Sequence, residues 1–196
     1  MNTTDLGALI LAAGSARRMG ADKLLLPVGD RLMIGHVIAA AHAAGLAGPI
    51  VAHRPDDVTL AGVLDAAQVQ RIAVQTHALG MGASLSAALA VVPEQWRAIC
   101  ILLGDMPLIS PDLLRAMAQQ SSETAIVIPT HDGRRGNPVI WGRAHFAALA
   151  ALAGDVGGRS LLPTRADSVV EMAWRDDSIF IDVDTPEALV AVNGRF

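Results

Sequence analysis

The stretch LILAAGSARRMGADKLLLPVGD, residues 9–30, decides the fold class of this chain. It opens with apolar residues typical of a buried strand, breaks at three small residues, and then carries Arg17, Arg18 and Lys23. Small residues allow backbone N–H groups to approach an anion closely, and the cationic side chains add positive charge. The stretch therefore predicts a strand followed by a phosphate-binding loop, with a solvated basic loop as the alternative.

The composition predicts a folded protein of the reducing cytoplasm. Of the 196 residues, 52% are hydrophobic and 17% are charged, which suits a substantial core and not a disordered chain. The net charge of −4 argues against nucleic-acid binding, and a single cysteine, Cys100, excludes an internal disulfide or a Cys-rich metal site. No apolar run reaches the roughly 18 residues that span a bilayer, and the N-terminus lacks a basic signal region. We expect one domain, residues 1–196, in the cytoplasm and away from membranes.

Strand-like and helix-like segments alternate along the chain. Apolar runs predict strands at residues 6–13, 48–53, 69–74, 97–104 and 124–130. Helices are predicted after three caps: Asp30, with an end at Gly45, then Ser110 and Thr185, each followed by proline. This alternation predicts an α/β fold, a three-layer doubly wound domain that binds its ligand at the carboxyl ends of the strands.

Asp105 lies at that predicted edge. It follows a long buried strand in LLGDMP, residues 102–107, where a carboxylate can hold Mg²⁺ against a nucleotide phosphate. A turn aspartate without a ligand is the alternative. Other phosphate motifs fit poorly: the spacing from Gly14 to Gly20 does not match a P-loop, and Gly80-Met81-Gly82 lacks the third glycine of a dinucleotide fingerprint.

Taken together, LAAGSARRMGADK (residues 11–23) and GDMP (104–107) resemble the molybdopterin nucleotidyltransferase family. Four more of its motifs follow in order: GMGASL (80–85), GRRGNPVIW (133–141), GDVGGRSLL (154–162) and IDVDTPEAL (181–189). Ala-Ala-Gly at residues 12–14 resembles the molybdenum cofactor cytidylyltransferases more than the guanylyl enzymes. The resemblance implies a Rossmann-like, mostly parallel mixed sheet with one antiparallel strand. It also implies Mg²⁺-dependent transfer of CMP from CTP to the phosphate of molybdopterin, releasing pyrophosphate.

The resemblance also implies roles for particular residues. Its nucleotide site consists of Ala12, Ala13, Gly14, Arg18, Lys23, Gly80 and Ser84. Its catalytic residues are Arg18, Lys23 and Asp105, and its metal ligands are Asp105 and Asp184. Its acceptor contacts are Arg135, Asn137 and Arg159.

Several of these roles have structural alternatives. Asp182 and Asp184 face the same side of an extended segment, and Asp184 is the preferred ligand although it could instead help to cap the final helix. Ser84 could be a helix cap, and the arginines could be solvated surface. Asn137 stands where relatives commonly have histidine, so an acid–base role there is in doubt.

Other functions stay open at this stage. A nearer alternative is a nucleotidyltransferase that uses GTP or another phosphorylated acceptor. A different class is an NAD(P)-dependent oxidoreductase on the same scaffold. A third is a non-catalytic accessory protein that delivers the cofactor to a molybdenum hydroxylase. If the protein is instead the cytidylyltransferase, the same hydroxylase is the expected recipient of its product.

Overall fold

The computed structural model describes residues 5–14 and 22–196. Its strands are β1 Leu6–Ala12, β2 Pro27–Val28, β3 Arg31–Leu32, β4 Ala47–His53, β5 Gln70–Ala73, β6 Ala98–Leu103, β7 Ile126–His131, β8 Arg134–Arg135, β9 Val139–Gly142 and β10 Val169–Ala173. Its α-helices are α1 Met33–Ala43, α2 Val58–Ala66, α3 Met81–Leu89, α4 Pro111–Gln119, α5 Phe146–Ala150 and α6 Pro186–Asn193. Within the described ranges, no helix combines the length and apolarity needed to cross a membrane.

The main sheet has the order β10-β7-β9-β6-β1-β4-β5, with β8 paired to β7. Its neighbours run parallel except at β9, which is antiparallel to both β6 and β7, and at the short β8. Strands β2 and β3 form a separate hairpin. The α/β class and the mostly parallel mixed sheet are confirmed, as is the antiparallel strand implied by the family resemblance.

Two apolar cores lie on the two faces of this sheet. In β1, Ala8 and Ile10 join one core and Leu9 the other, because successive side chains of a strand point to opposite faces. Buried residues of α1, α2, α4 and α6 belong to the first core, and those of α3 and α5 to the second. Helices on both faces explain why the central strands are apolar throughout.

Two of the three predicted helix caps are confirmed, and the third is wrong. Ser110 accepts from the backbone N–H of Leu113, and Thr185 does the same for Ala188, so both caps are confirmed. Asp30 is not a cap: α1 begins at Met33, because residues 27–32 form the β2–β3 hairpin instead. Gly45 follows the end of α1 with a positive φ of 77°, as expected of a helix-terminating glycine.

The sheet fixes where a ligand would bind. Strand β1 lies between β4 and β6, and the chain winds outward from it in both directions. The carboxyl ends of β1 and β6 lie side by side, since Leu11 is in register with Leu103. Doubly wound sheets bind ligands in a crevice at the carboxyl ends of their strands, so we expect the crevice beside β1 and β6.

Candidate active site

Lys23 is placed at this crevice by a short 3₁₀ helix, Lys23–Leu25. The carboxylate of Asp22 caps that helix by accepting from the N–H of Leu24 at 3.3 Å, and the side chain of Leu24 is buried in the core. Only 12% of the Lys23 side chain is exposed. Lys23 is also the only lysine among the 196 residues, whose other cationic side chains are arginines.

The acidic side of the site combines two distant parts of the chain. Asp105 follows β6, and its carbonyl oxygen accepts from the N–H of Val183 at 3.0 Å. Because Val183 points into the core, its neighbours Asp182 and Asp184 point the other way, towards Asp105. One carboxylate oxygen from each of the three aspartates lies within 4.8 Å of the others. The alternation expected for the 182–184 segment is confirmed.

Lys23 bridges two of these carboxylates. Its Nζ donates to Oδ2 of Asp105 and to Oδ1 of Asp184, each at 2.6 Å. Burial works to lower the pKa of Lys23, but the two carboxylates outweigh it and raise the pKa above its usual value. Lys23 therefore stays charged, and an ammonium has a third N–H to offer a ligand.

The three carboxylates fit a divalent cation. Asp105 Oδ1 is buried and finds no hydrogen-bond partner among residues 5–14 and 22–196, an arrangement that is costly for a polar oxygen unless a ligand supplies a partner. Burial, followed by repulsion from Asp105 and Asp184, raises the pKa of Asp182. Hard carboxylate oxygens in a group of this size suit Mg²⁺ or Mn²⁺.

Only the first residues of the small-residue loop are described. Ala12 and Ala13 are buried, and they pack in the first and the second core respectively. Gly14 is exposed, and a Cβ built on it would contact nothing within 4 Å. Arg18 lies outside the described residues, as does Arg17.

Gly80 and Ser84 lie where α3 starts, but neither acts as a side-chain cap. Gly80 has a φ of 103°, and a Cβ there would come within 2.4 Å of the Gly154 backbone, so only glycine fits. The N–H of Gly82 donates to the carbonyl oxygen of Gly154 at 2.9 Å. Ser84 is buried and donates its hydroxyl to the Gly80 carbonyl at 3.3 Å. The glycine-rich motifs at residues 80–85 and 154–162 thus pack backbone against backbone, and we call this contact the interlocked glycines. Sequence spacing did not reveal it.

The three residues expected to contact the acceptor, Arg135, Asn137 and Arg159, lie close to one another. Arg135 forms two short bonds to Glu171 of β10, at 2.7 and 2.6 Å. Arg159 reaches the Arg135 carbonyl at 3.5 Å, and its pKa is lowered by burial and then by the charge of Arg135. The N–H of Asn137 donates to Ile179 at 2.8 Å, three residues before Asp182. Asn137 thus connects this group of residues to the segment that leads to Asp182 and Asp184.

A further acidic pair next to Lys23 went unrecognised in the sequence. Asp22 is hydrogen-bonded to Asp57, the cap of α2, and burial together with this contact raises the pKa of Asp22 to about 6. Arg54 lies 3.6 Å from the Asp57 carboxylate. The one signal of this pair in the sequence is that Asp22 directly precedes Lys23.

Comparison with known proteins identifies the family. Residues 8–169 match the MobA-like NTP transferase domain. This chain belongs to the MobA-like NTP transferase family. Rv0371c from Mycobacterium tuberculosis H37Rv has a crystal structure that aligns with a TM-score of 0.84 and 28% identity, covering 98% of this chain and all of that one. A second structure of that protein, described as a complex with manganese, aligns with a TM-score of 0.84 at 26% identity.

More distant relatives agree with the family assignment. The bifunctional protein GlmU from Geobacter metallireducens is 33% identical over 145 residues, which is 71% of this chain and 30% of that protein. The chain thus spans about a third of the length of the GlmU proteins it matches. A CMP:2-keto-3-deoxy-manno-octonic acid synthetase structure complexed with CTP shares the fold, with a TM-score of 0.74 at 19% identity. The chain thus carries an NTP transferase family domain, and its clustered aspartates lie beside the carboxyl end of β6.

Proposed function

We propose that this protein is a cytidylyltransferase that moves CMP from CTP to the phosphate of molybdopterin with the help of Mg²⁺. The observation that carries the nucleotidyl transfer is the cluster of Lys23 with Asp105, Asp182 and Asp184 at the crevice between β1 and β6. The choice of CTP and molybdopterin is supported by Ala-Ala-Gly at residues 12–14 and by the order of the six motifs.

In this proposal the transfer needs no protein nucleophile. An oxygen of the acceptor phosphate attacks the α-phosphorus of CTP, the bond from that phosphorus to the bridging oxygen breaks, and pyrophosphate leaves with the electron pair. Lys23 donates to phosphate oxygens, and the backbone of Ala13 and Gly14 surrounds the triphosphate with Arg18. Catalysis is then positioning together with electrostatic stabilisation of charge on the phosphates.

Asp105, Asp182 and Asp184 would hold the divalent cation. When bound, Mg²⁺ would neutralise phosphate charge and orient the triphosphate. From the sequence, Asp184 is the preferred second ligand over Asp182. In the structure, one carboxylate oxygen of each lies within 4.8 Å of one from Asp105. We therefore propose Asp182 as a ligand in addition to Asp105 and Asp184.

The acceptor would bind at the cationic flank formed by Arg135, Asn137 and Arg159. Arg135 is already paired with Glu171, so in this proposal the phosphate is met chiefly by Arg159 and the Asn137 amide. A molybdenum hydroxylase would receive the product in the cytoplasm. One domain, residues 1–196, would carry out the whole reaction.

One other reaction has a specific observation in its favour. A synthetase of the same fold, named for CMP and 2-keto-3-deoxy-manno-octonic acid, has a structure with CTP, so a different acceptor is the second candidate. GTP with molybdopterin is the remaining variant of this kind. An oxidoreductase is disfavoured, because the matched family is named for NTP transfer and the three clustered aspartates suit a cation that binds phosphates.

A ligand panel followed by a product assay tests the proposal. Thermal shifts are measured with CTP, GTP, UTP, ATP, NADH and NADPH, each with and without Mg²⁺; a ligand at a hundredfold its Kd stabilises by about 2.7 kcal/mol. We expect the largest Mg²⁺-dependent shift with CTP, and pyrophosphate release when CTP and molybdopterin are combined. Asp105→Asn should abolish that release, whereas Asp177→Asn, which alters an exposed pair with Arg195, should not. A larger shift with another nucleotide would replace CTP, and release with a sugar phosphate alone would replace molybdopterin.

A further inference from the structure

Lys23 and Asp184 meet across the site, but each is carried by a segment outside the main sheet. Lys23 leads into the β2–β3 hairpin, which pairs only with itself in the described part of the sheets. Asp184 lies in the irregular stretch that precedes α6. The main sheet therefore carries Asp105 almost directly, just after β6, and reaches Lys23 and Asp184 only through these segments.

The far ends of these two segments are joined by Asn193. At the hairpin tip, the N–H of Gly29 donates to Oδ1 of Asn193 at 2.9 Å. Nδ2 of Asn193 donates to the carbonyl oxygen of Leu189, one turn back in α6, at 3.1 Å. Because each end of the amide has a partner of the matching kind, the orientation of the side chain is determined.

Aromatic packing reinforces this junction. The Phe196 ring lies against the backbone of Gly29, where an added Cβ would be 3.0 Å from the Phe196 Cβ. The same ring packs on His36 of α1, with centroids 4.4 Å apart. His36 in turn donates from Nε2 to the carbonyl oxygen of Val28 at 2.6 Å. We call Gly29, His36, Asn193 and Phe196 the clasp.

We propose that Asn193 is a positioning residue, and that the clasp sets the spacing between Lys23 and Asp184 and with it the affinity of the carboxylates for a divalent cation. Three carboxylates in one cluster repel one another, so the position of Asp184 depends on how its chain is held as well as on Lys23. The bond from Val183 to Asp105 holds that chain on one side of Asp184, and α6 holds it on the other. Helix α6 is about 12 Å long, which lets its C-terminal end on the hairpin fix the direction of its N-terminal end at the site. This inference rests on the metal centre of the proposed function.

The test measures Mn²⁺ binding by electron paramagnetic resonance, without nucleotide or turnover. Asn193→Leu keeps the approximate size of the side chain and favours the helix, but it loses both hydrogen bonds. Asn193→Asp keeps the acceptor for Gly29 while placing a negative charge at the C-terminal end of α6, which disfavours the helix. Arg115→Ala is the matched control, because it also loses an exposed bond between a side chain and a distant backbone group, at Ala43.

We expect Asn193→Leu to weaken Mn²⁺ binding about tenfold, in the range found when residues that support metal ligands are removed. Asn193→Asp should bind Mn²⁺ like the wild type even if its melting temperature falls further, and Arg115→Ala should lose only stability. Unchanged Mn²⁺ affinity in Asn193→Leu, or losses that follow melting temperature across all three variants, would overturn the proposal. Nucleotidyl transfer is assayed separately, so an inactive wild type that still binds Mn²⁺ would refute the proposed function and leave the clasp standing.

Discussion

Replacement of Lys23 by methionine tests the electrostatics of the site most directly. The change removes the ammonium that bridges Asp105 and Asp184 and keeps an apolar side chain of similar length. Breaking a buried ion pair costs about 3–5 kcal/mol, a half-exposed partner such as Asp184 adds at most about 1, and a buried methionine returns about 1.5–2. We expect the free energy of unfolding to fall by about 1–4.5 kcal/mol, which is a drop of about 2–18 °C in Tm at this chain length.

The size of the stability difference between Lys23→Met and wild type should change with metal. In Lys23→Met a bound cation takes over the neutralisation of the carboxylates and no longer competes with an ammonium. Urea unfolding followed by circular dichroism, with and without saturating Mn²⁺, should therefore show the difference from wild type shrink to below about 1 kcal/mol when Mn²⁺ is present. Nucleotidyl transfer should still be lost, because the phosphates lose the donor that Lys23 supplies.

Arg71→Met is the matched control for this experiment. Arg71 also makes two short bonds to a carboxylate, at 2.7 and 2.9 Å to Asp65, but that pair is exposed. Because solvent screens this pair, its loss should barely change the free energy of unfolding and should not respond to Mn²⁺. The reasoning fails if Lys23→Met is as stable as wild type in the absence of metal, or if Mn²⁺ leaves the difference between them unchanged.

Three further outcomes follow from contacts in the structure. The raised pKa of Asp22 means that the folded state binds a proton more tightly than the unfolded state between pH 3.8 and about 6, so the free energy of unfolding should fall as pH rises through that window. Asp22→Asn should remove this slope in a series of urea titrations. Gly80→Ala should destabilise by about 2–4 kcal/mol in the same assay, against about 1 for Gly133→Ala, which has positive φ but open space around it. Ser110→Ala should cost about 1 kcal/mol through the lost cap of α4, and an unchanged denaturation midpoint would contradict the capping argument.

The sequence was sufficient for the features that depend on neighbouring residues. Apolar runs placed the central strands, because a strand buried on both faces must be apolar throughout. Ser110 and Thr185 marked helix starts through bonds that span three residues. Lys23 and Asp105 were found from their motifs, and the i, i+2 spacing of Asp182 and Asp184 correctly put both on one side.

The structure decided what depends on distant parts of the chain. Hairpin formation displaced the start of α1 from Asp30 to Met33, a choice between two local patterns that only tertiary packing settles. That Asp182 and Asp184 both lie beside Asp105 depends on the bond from Val183 to the Asp105 carbonyl, between residues 78 positions apart in the chain. The interlocked glycines and the pairing of Arg135 with Glu171 are of the same kind.

The division has one physical cause. Periodicity, capping and turn chemistry act within a few residues, so this sequence by itself determined the fold class, the family motifs and the candidate chemistry. Side chains separated by most of the chain meet only when the sheet order is set, and a sequence carries no local signal of that order. The bridge from Lys23 to Asp184 and the contact of Asn193 with Gly29 are therefore properties that only the tertiary structure decided.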